Sequence, residues 1–210
     1  MQNLDRRQRL AEIAVLIWLV ADFALASSGA LVIAGLGGTG EIWSQPALEA
    51  VDRTATGVGI AYTLAFIASA VFVSRWIYRA SANAHTLSDA MTISPGWSVG
   101  FLFVPVASLF KPFQALRETW QVSLSPENPD SVPVPAVMRW WWGLWVLASI
   151  LGNISFRFSL NAKTISDLTL SAWFDIALLV IDVPMAVLLI VVMRRLTANQ
   201  RAIVDTRIFE

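Results

Sequence analysis

The apolar positions of this chain gather into long blocks instead of recurring with the period of a soluble helix or strand. A helix rising about 1.5 Å per residue needs about 20 apolar residues to cross a hydrocarbon core of about 30 Å. Three blocks have that length, from about Ile13 to Ile33, Ala55 to Trp76 and Trp173 to Met193. A fourth, about Trp140 to Phe158, is shorter, and Asn153, Ser155 and Arg157 make its far end polar. Trp140, Trp141, Trp142 and Trp145 give it the aromatic belt of a helix entering a headgroup region. The pattern predicts an all-α fold, a four-helix integral membrane bundle forming a single domain over residues 1–210.

Trp97 to Phe110 fits less simply, being largely apolar but short, with Pro105 inside it and Pro95 and Pro112 close outside. Basic residues concentrate on the cytoplasmic side of membrane proteins. With four spans, twelve of the fifteen Lys and Arg fall on the inner side with both chain ends, and Arg53, Arg157 and Lys163 fall outside. A fifth span at Trp97 to Phe110 turns that division into seven against eight. The segment is therefore expected to dip into the cytoplasmic leaflet and return, or to lie along the interface, within an inner-leaflet insertion of about 94–122. Backbone groups freed at Pro105 need partners in protein or water, since lipid offers no hydrogen bonds. Phe113, Leu116 and Trp120 mark an amphipathic helix on the membrane surface, and residues 123–137 read as a proline-rich connector.

Composition agrees with this reading. Of 210 residues, 56% are hydrophobic and 14% charged, against about 25% charged in soluble domains. The mean hydropathy is +0.62. Net charge is zero, so no basic footprint for nucleic acid exists. Cysteine is absent and His85 is the single histidine, which leaves no expected cofactor or metal site. Arg6 to Arg9 followed by an apolar run and Ala24-Leu25-Ala26 imitates a cleavable signal. Asp22 interrupts that run, and apolar residues continue to Ile33, so a retained first helix is expected.

Gly35, Gly37 and Gly40 spell G-x-G-x-x-G, but a spanning helix precedes them and no helix-start signal follows, so dinucleotide binding is not expected. No nucleophile elbow, P-loop or H-E-x-x-H appears, and the chain reads as non-enzymatic, with intramembrane aspartate chemistry the sole exception to weigh. Asp22 and Asp182 fall near the middle of their blocks, where an aspartate costs about 2.5–3.5 kcal/mol to insert. They should face other helices. Ala26, Gly29 and Ala30 share the face of Asp22, and Gly57, Ala61, Ala65 and Ala68 form a second small-residue stripe suited to close helix approach. Asp22, Asp182 and Asn153 are thus candidates for a proton or cation path through an oligomer, or for hydrogen bonds to one another or to Thr63 that hold helices together. Asp175 is expected to pair with Arg157 near the outer interface. Pro184 should kink the last span. Arg75 and Arg79, with Asn83 on the same face, could hold an anionic headgroup, although arginines at a cytoplasmic helix end are expected in any case. His85 reads as a solvated loop residue.

Arg75-Trp76-Ile77-Tyr78-Arg79-Ala80-Ser81-Ala82-Asn83, then Ser94-Pro95-Gly96-Trp97, Pro105, and Phe110-Lys111-Pro112-Phe113-Gln114-Ala115 running into Arg117-Glu118-Thr119-Trp120 form an ordered series. Over about Ala55 to Met193 the chain resembles the bacterial membrane family named domain of unknown function four-three-two-eight. The resemblance implies a multi-spanning protein of a bacterial inner membrane and brings no catalytic residues. Its signatures fall on the inner-leaflet segment, which makes Arg75, Arg79, Asn83, Trp97, Lys111, Arg117 and Trp120 candidates for binding anionic lipid or another membrane protein. A plainer expectation is that they fold the turn, with Ser94-Pro95-Gly96 as its bend.

Overall fold

The computed structural model describes residues 4–35, 44–161 and 164–208. Its helices are α1 (Leu4–Gly35), α2 (Gln45–His85), α3 (Pro95–Gly100), α4 (Lys111–Val122), α5 (Ala136–Asn161) and α6 (Ile165–Ile208), and no strand occurs among the described residues. Four of them, α1, α2, α5 and α6, are long and apolar enough to cross a membrane. Each continues beyond its apolar block, because hydropathy limits the part that can lie in lipid while helical hydrogen bonding carries on through polar residues. The helix α6 runs unbroken through Pro184. Gly37 and Gly40 of the glycine-rich stretch lie outside the described residues.

Backbone contacts divide the chain into two compact units. The first comprises Met1–Ala14, Ala70–Trp142 and Val187–Glu210. Its core is Trp76 and Ala80 of α2, Met138 of α5, and Val192, Met193 and Leu196 of α6, all but inaccessible. The spacing of those residues is that of one helical face each. Ala84, Leu87 and Val122 form a further cluster, against which Met91 and Ile203 pack. The apolar face expected to lie on the membrane surface turns inward instead. Leu116 and Trp120 are buried, together with Pro112, Ala115, Thr119 and Val122 of α4. An amphipathic helix buries its stripe against whatever apolar surface it meets first, and here that surface is protein.

The broken segment also belongs to this unit. Ser94 caps α3, its hydroxyl accepting from the Trp97 amide, and Pro95 occupies the first turn, where its missing N–H costs nothing. Pro95–Phe103 and Ala107–Val122 meet at 115°. At the apex Val106 has φ 66° and ψ −52°, and the Ala107 amide reaches back to the Pro105 carbonyl at 2.7 Å, a strained three-residue γ-turn. The chain itself supplies the partners that a lipid-exposed break needs. Ser108 N donates to Val104 O at 2.9 Å, Leu109 N to Val106 O at 3.1 Å, and Trp142 Nε1 to Leu109 O at 3.1 Å. Trp142 also lies against Phe113 and Trp141, with centroids 5.9 and 5.5 Å away. The aromatic belt is thus divided, since Trp141 is core while Trp140 is exposed.

The second unit comprises Val15–Ser69 and Gly143–Ala186. Trp18, Asp22, Ala26 and Gly29 form the buried face of α1, and Ala172, Asp182, Met185 and Ala186 that of α6. The two helices approach at Gly29, where a Cβ would stand 3.3 Å from the Ala172 Cβ. That is the close approach which small residues allow. The stripe on α2 does not act this way. Ala61 and Ala68 are exposed, and nothing lies within 4 Å of a Cβ built at Gly57. Ile60, Leu64 and Ile67 of α2 and Leu147, Ile150 and Ile154 of α5 are exposed, as lipid-facing side chains are.

Candidate functional site

Several signature residues form a buried polar cluster in the first unit. The Gln200 amide donates to the Ala80 carbonyl and to Ser123 Oγ, each at 2.9 Å, and accepts from Asn83 Nδ2 at 3.1 Å. Trp76 Nε1 donates to Thr197 Oγ1 at 3.1 Å. These bonds tie α2, α6 and the end of α4 together, because a buried amide left unpaired in a low-dielectric core is costly. Asn83 and Trp120, candidates for lipid contact, are therefore buried and face the protein. Glu118 fixes the approach to α3 by accepting from the Thr92 and Ile93 amides at 3.0 and 3.2 Å. His85 ends α2, its Nδ1 2.9 Å from the Ser81 carbonyl, and is a helix-end residue instead of a free loop histidine.

The remaining candidates for lipid contact are less covered. Arg75, Arg117 and Trp97 are exposed, while Arg79 and Lys111 are half-buried. Arg79 Nε is buried without a hydrogen-bond partner. Arg7 Nη1 lies 3.4 Å from the Arg75 carbonyl, bringing a cation of α1 beside this turn of α2. Glu12 takes the other cation of note. Arg194 donates to both of its oxygens at 2.9 Å, and Gln8 adds a third bond at 2.8 Å. Burial pushes the Glu12 carboxyl up, but the hydrogen bonds from Arg194 and Gln8 and the charges of Arg194 and Arg9 outweigh it and hold the group below its ordinary value.

In the second unit a cavity of about 580 Å³ opens among residues of α1, α2, α5 and α6. Its polar lining is Asp22, Thr56, Tyr62, Thr63, Ser155, Ser159 and Asp175, and its apolar lining includes Leu25, Ile60, Leu64 and Leu178. Asp22 is buried, and its Oδ2 has no hydrogen-bond partner. The partners expected for it are engaged elsewhere. Thr63 donates to the Gly59 carbonyl at 2.9 Å, and Asn153 accepts from Arg157 Nε at 2.9 Å. Asp182 is buried on α6 but is not part of the cavity lining. Asn153 is exposed and stands apart from that lining. Asp175 joins Asp22 on that lining, while Asp182 remains close enough for its charge to act on Asp22. No ion pair joins it to Arg157, whose guanidinium is held one turn back by Asn153. Among the described residues no group of three or more His, Asp or Glu is placed to hold a metal ion.

Sequence reasoning missed Gln200, Thr197, Glu12 and the cavity role of Asp175. A signal existed for the first two, since Leu196, Thr197 and Gln200 recur at helical spacing on the face continuing from Val192 and Met193.

The family model described as Domain of unknown function (DUF4328) matches residues 41–198, a span that contains the whole signature series. Neither the curated proteins nor the solved structures yield a match.

Proposed function

The chain belongs to the DUF4328 family, and we propose that its first unit is a non-enzymatic membrane module that holds anionic lipid headgroups at the cytoplasmic leaflet of a bacterial inner membrane. The observation that carries this reading is the apex of the broken segment. Phe103 and Val106 are 79% and 71% exposed, Trp97 and Phe110 are exposed beside them, and the backbone beneath is hydrogen-bonded within the chain. Such a turn is suited to immersion in hydrocarbon, where unsatisfied backbone is excluded. Arg75, Arg79 and Arg117 supply the charge, each cation near an anionic leaflet contributing about 1 kcal/mol. The excess of Lys and Arg on one side under a four-span arrangement supports a cytoplasmic placement of both chain ends.

The test is retention of phosphatidylglycerol by protein in nanodiscs, read by native mass spectrometry. The Arg75→Gln, Arg79→Gln double variant should retain it about thirtyfold less well, as two lost cations imply. Unchanged retention refutes headgroup binding at this turn. Labelling of Lys111 from outside intact cells would overturn the orientation.

A further inference from the structure

We propose that the cavity of the second unit is a binding site for an organic monocation with an apolar body, an alkylammonium-like amphiphile whose charged head meets Asp22. Asp22 is 3% exposed, lines the cavity and has an Oδ2 without a hydrogen-bond partner. Buried polar atoms are almost always paired, so a cavity-lining carboxyl group with a sealed, unpaired oxygen has hydrogen-bonding capacity left for a donor from outside the chain. Asp175 is the second carboxylate on the lining, and no Lys, Arg or His lies there to neutralise either. A cationic N–H donor answers both the missing bond and the missing charge.

Size and wall chemistry decide what kind of cation fits. The volume of about 580 Å³ falls within the range of about 300–1,000 Å³ typical of small-molecule sites. A bare divalent ion is held by about six oxygens at short range, whereas this space is wide and its walls are mostly apolar. Leu25, Ile60, Leu64, Phe156 and Leu178 suit an alkyl or aryl body. Tyr62, stacked on Phe66 with ring centroids 6.5 Å apart, adds an aromatic ring to the lining, the kind of group that attracts a cationic head. Ile60, Leu64 and Phe156 are exposed as well as lining the cavity, so an amphiphile already dissolved in apolar surroundings can reach it. The inference stands apart from the headgroup-binding reading, which concerns other residues and the opposite charge.

The experiment is calorimetric titration of the detergent-purified full chain with n-hexylammonium and with n-hexanol, its neutral counterpart. Hexylammonium should bind at least about tenfold more tightly than hexanol, the margin expected when a charged hydrogen bond is made in a desolvated site. Asp22→Asn should erase that preference. Gly59→Leu provides a variant that keeps both carboxylates. Gly59 lines the cavity, and a Cβ built there meets nothing within 4 Å, so the side chain can grow into the space without disturbing the helices. It should keep the wild-type melting temperature and lose hexylammonium binding. To separate sources, phosphatidylethanolamine, whose head carries the same ammonium, is added as a competitor. Competition identifies a lipid ammonium as an occupant, and its absence points to a free amine. Equal binding of hexylammonium and hexanol, or full binding by a stably folded Gly59→Leu protein, overturns the proposal.

Discussion

The two units bury polar groups in opposite ways. Around Leu196, the amides of Asn83 and Gln200, the hydroxyls of Ser123 and Thr197 and the indole of Trp76 meet one another across three helices. Around the cavity of the second unit, Thr63 spends its donor on its own helix and Asp22 is left with an unpaired oxygen. Pairing in the first unit is not complete, as Ser81 Oγ, Trp141 Nε1 and Arg79 Nε show, but Arg79 is only half-buried, whereas Asp22 is a buried carboxyl group on the wall of a cavity. Satisfied polar groups in a low-dielectric interior specify how helices fit. An unsatisfied ionisable one specifies an interaction still to be made.

If that contrast is right, substitution should affect the two units unequally. Gln200→Ala should have the largest effect, about 3 kcal/mol of lost stability, because it leaves Asn83 Nδ2 unpaired in the core and removes the bonds to Ser123 Oγ and the Ala80 carbonyl at once. Thermal melting in detergent measures it. Adding Asn83→Ala should cost about 1 kcal/mol less than the sum of the single losses, since the two side chains share a bond. Strict additivity would break the cluster into independent contacts.

Glu12→Gln should come next, lowering the melting temperature by a few degrees at neutral pH. The folded-state carboxyl titrates below its ordinary value of 4.5, so the contribution is complete above that value and is lost as pH falls through the lower folded one. The difference between wild type and Glu12→Gln should therefore close on acidification. A gap that persists at low pH would assign the effect to packing instead of charge.

Asp22→Asn should have the smallest effect on stability, less than about 1 kcal/mol, because Oδ2 has no bond to lose. A loss above about 2 kcal/mol would mean that Asp22 is structural glue like Gln200, and the contrast between the units would collapse.

The signature residues show how far sequence reading could go. Arg75 to Asn83 stands out as a string, but within it Trp76, Ala80, Ser81 and Asn83 are core while Arg75 and Tyr78 are surface. A helix turns about 100° per residue, so one motif serves two faces, and only the neighbours decide which is covered. Leu116 and Trp120 teach the same lesson. Their spacing announces an apolar stripe, and only the rest of the fold decides that protein covers it.

Asp175 and Asp182 sharpen the point. They stand seven residues apart, on nearly one face of α6 but about 10 Å apart along its axis. Both are visible as costly residues in an apolar run. The height at which α1, α2 and α5 leave a space selects Asp175 for the cavity with Asp22, and mid-block position alone had favoured Asp182.

By itself the sequence determined that the chain is all-α, that four of its helices can cross a membrane, and that the path between the second and third is broken at Pro105. Those features follow from length, hydropathy and the missing amide of proline, which act locally and add along the chain. The tertiary structure alone decided which polar residues are paired and which carboxyl groups line the cavity. Pairing and cavities belong to several helices at once, and no single stretch of sequence contains them.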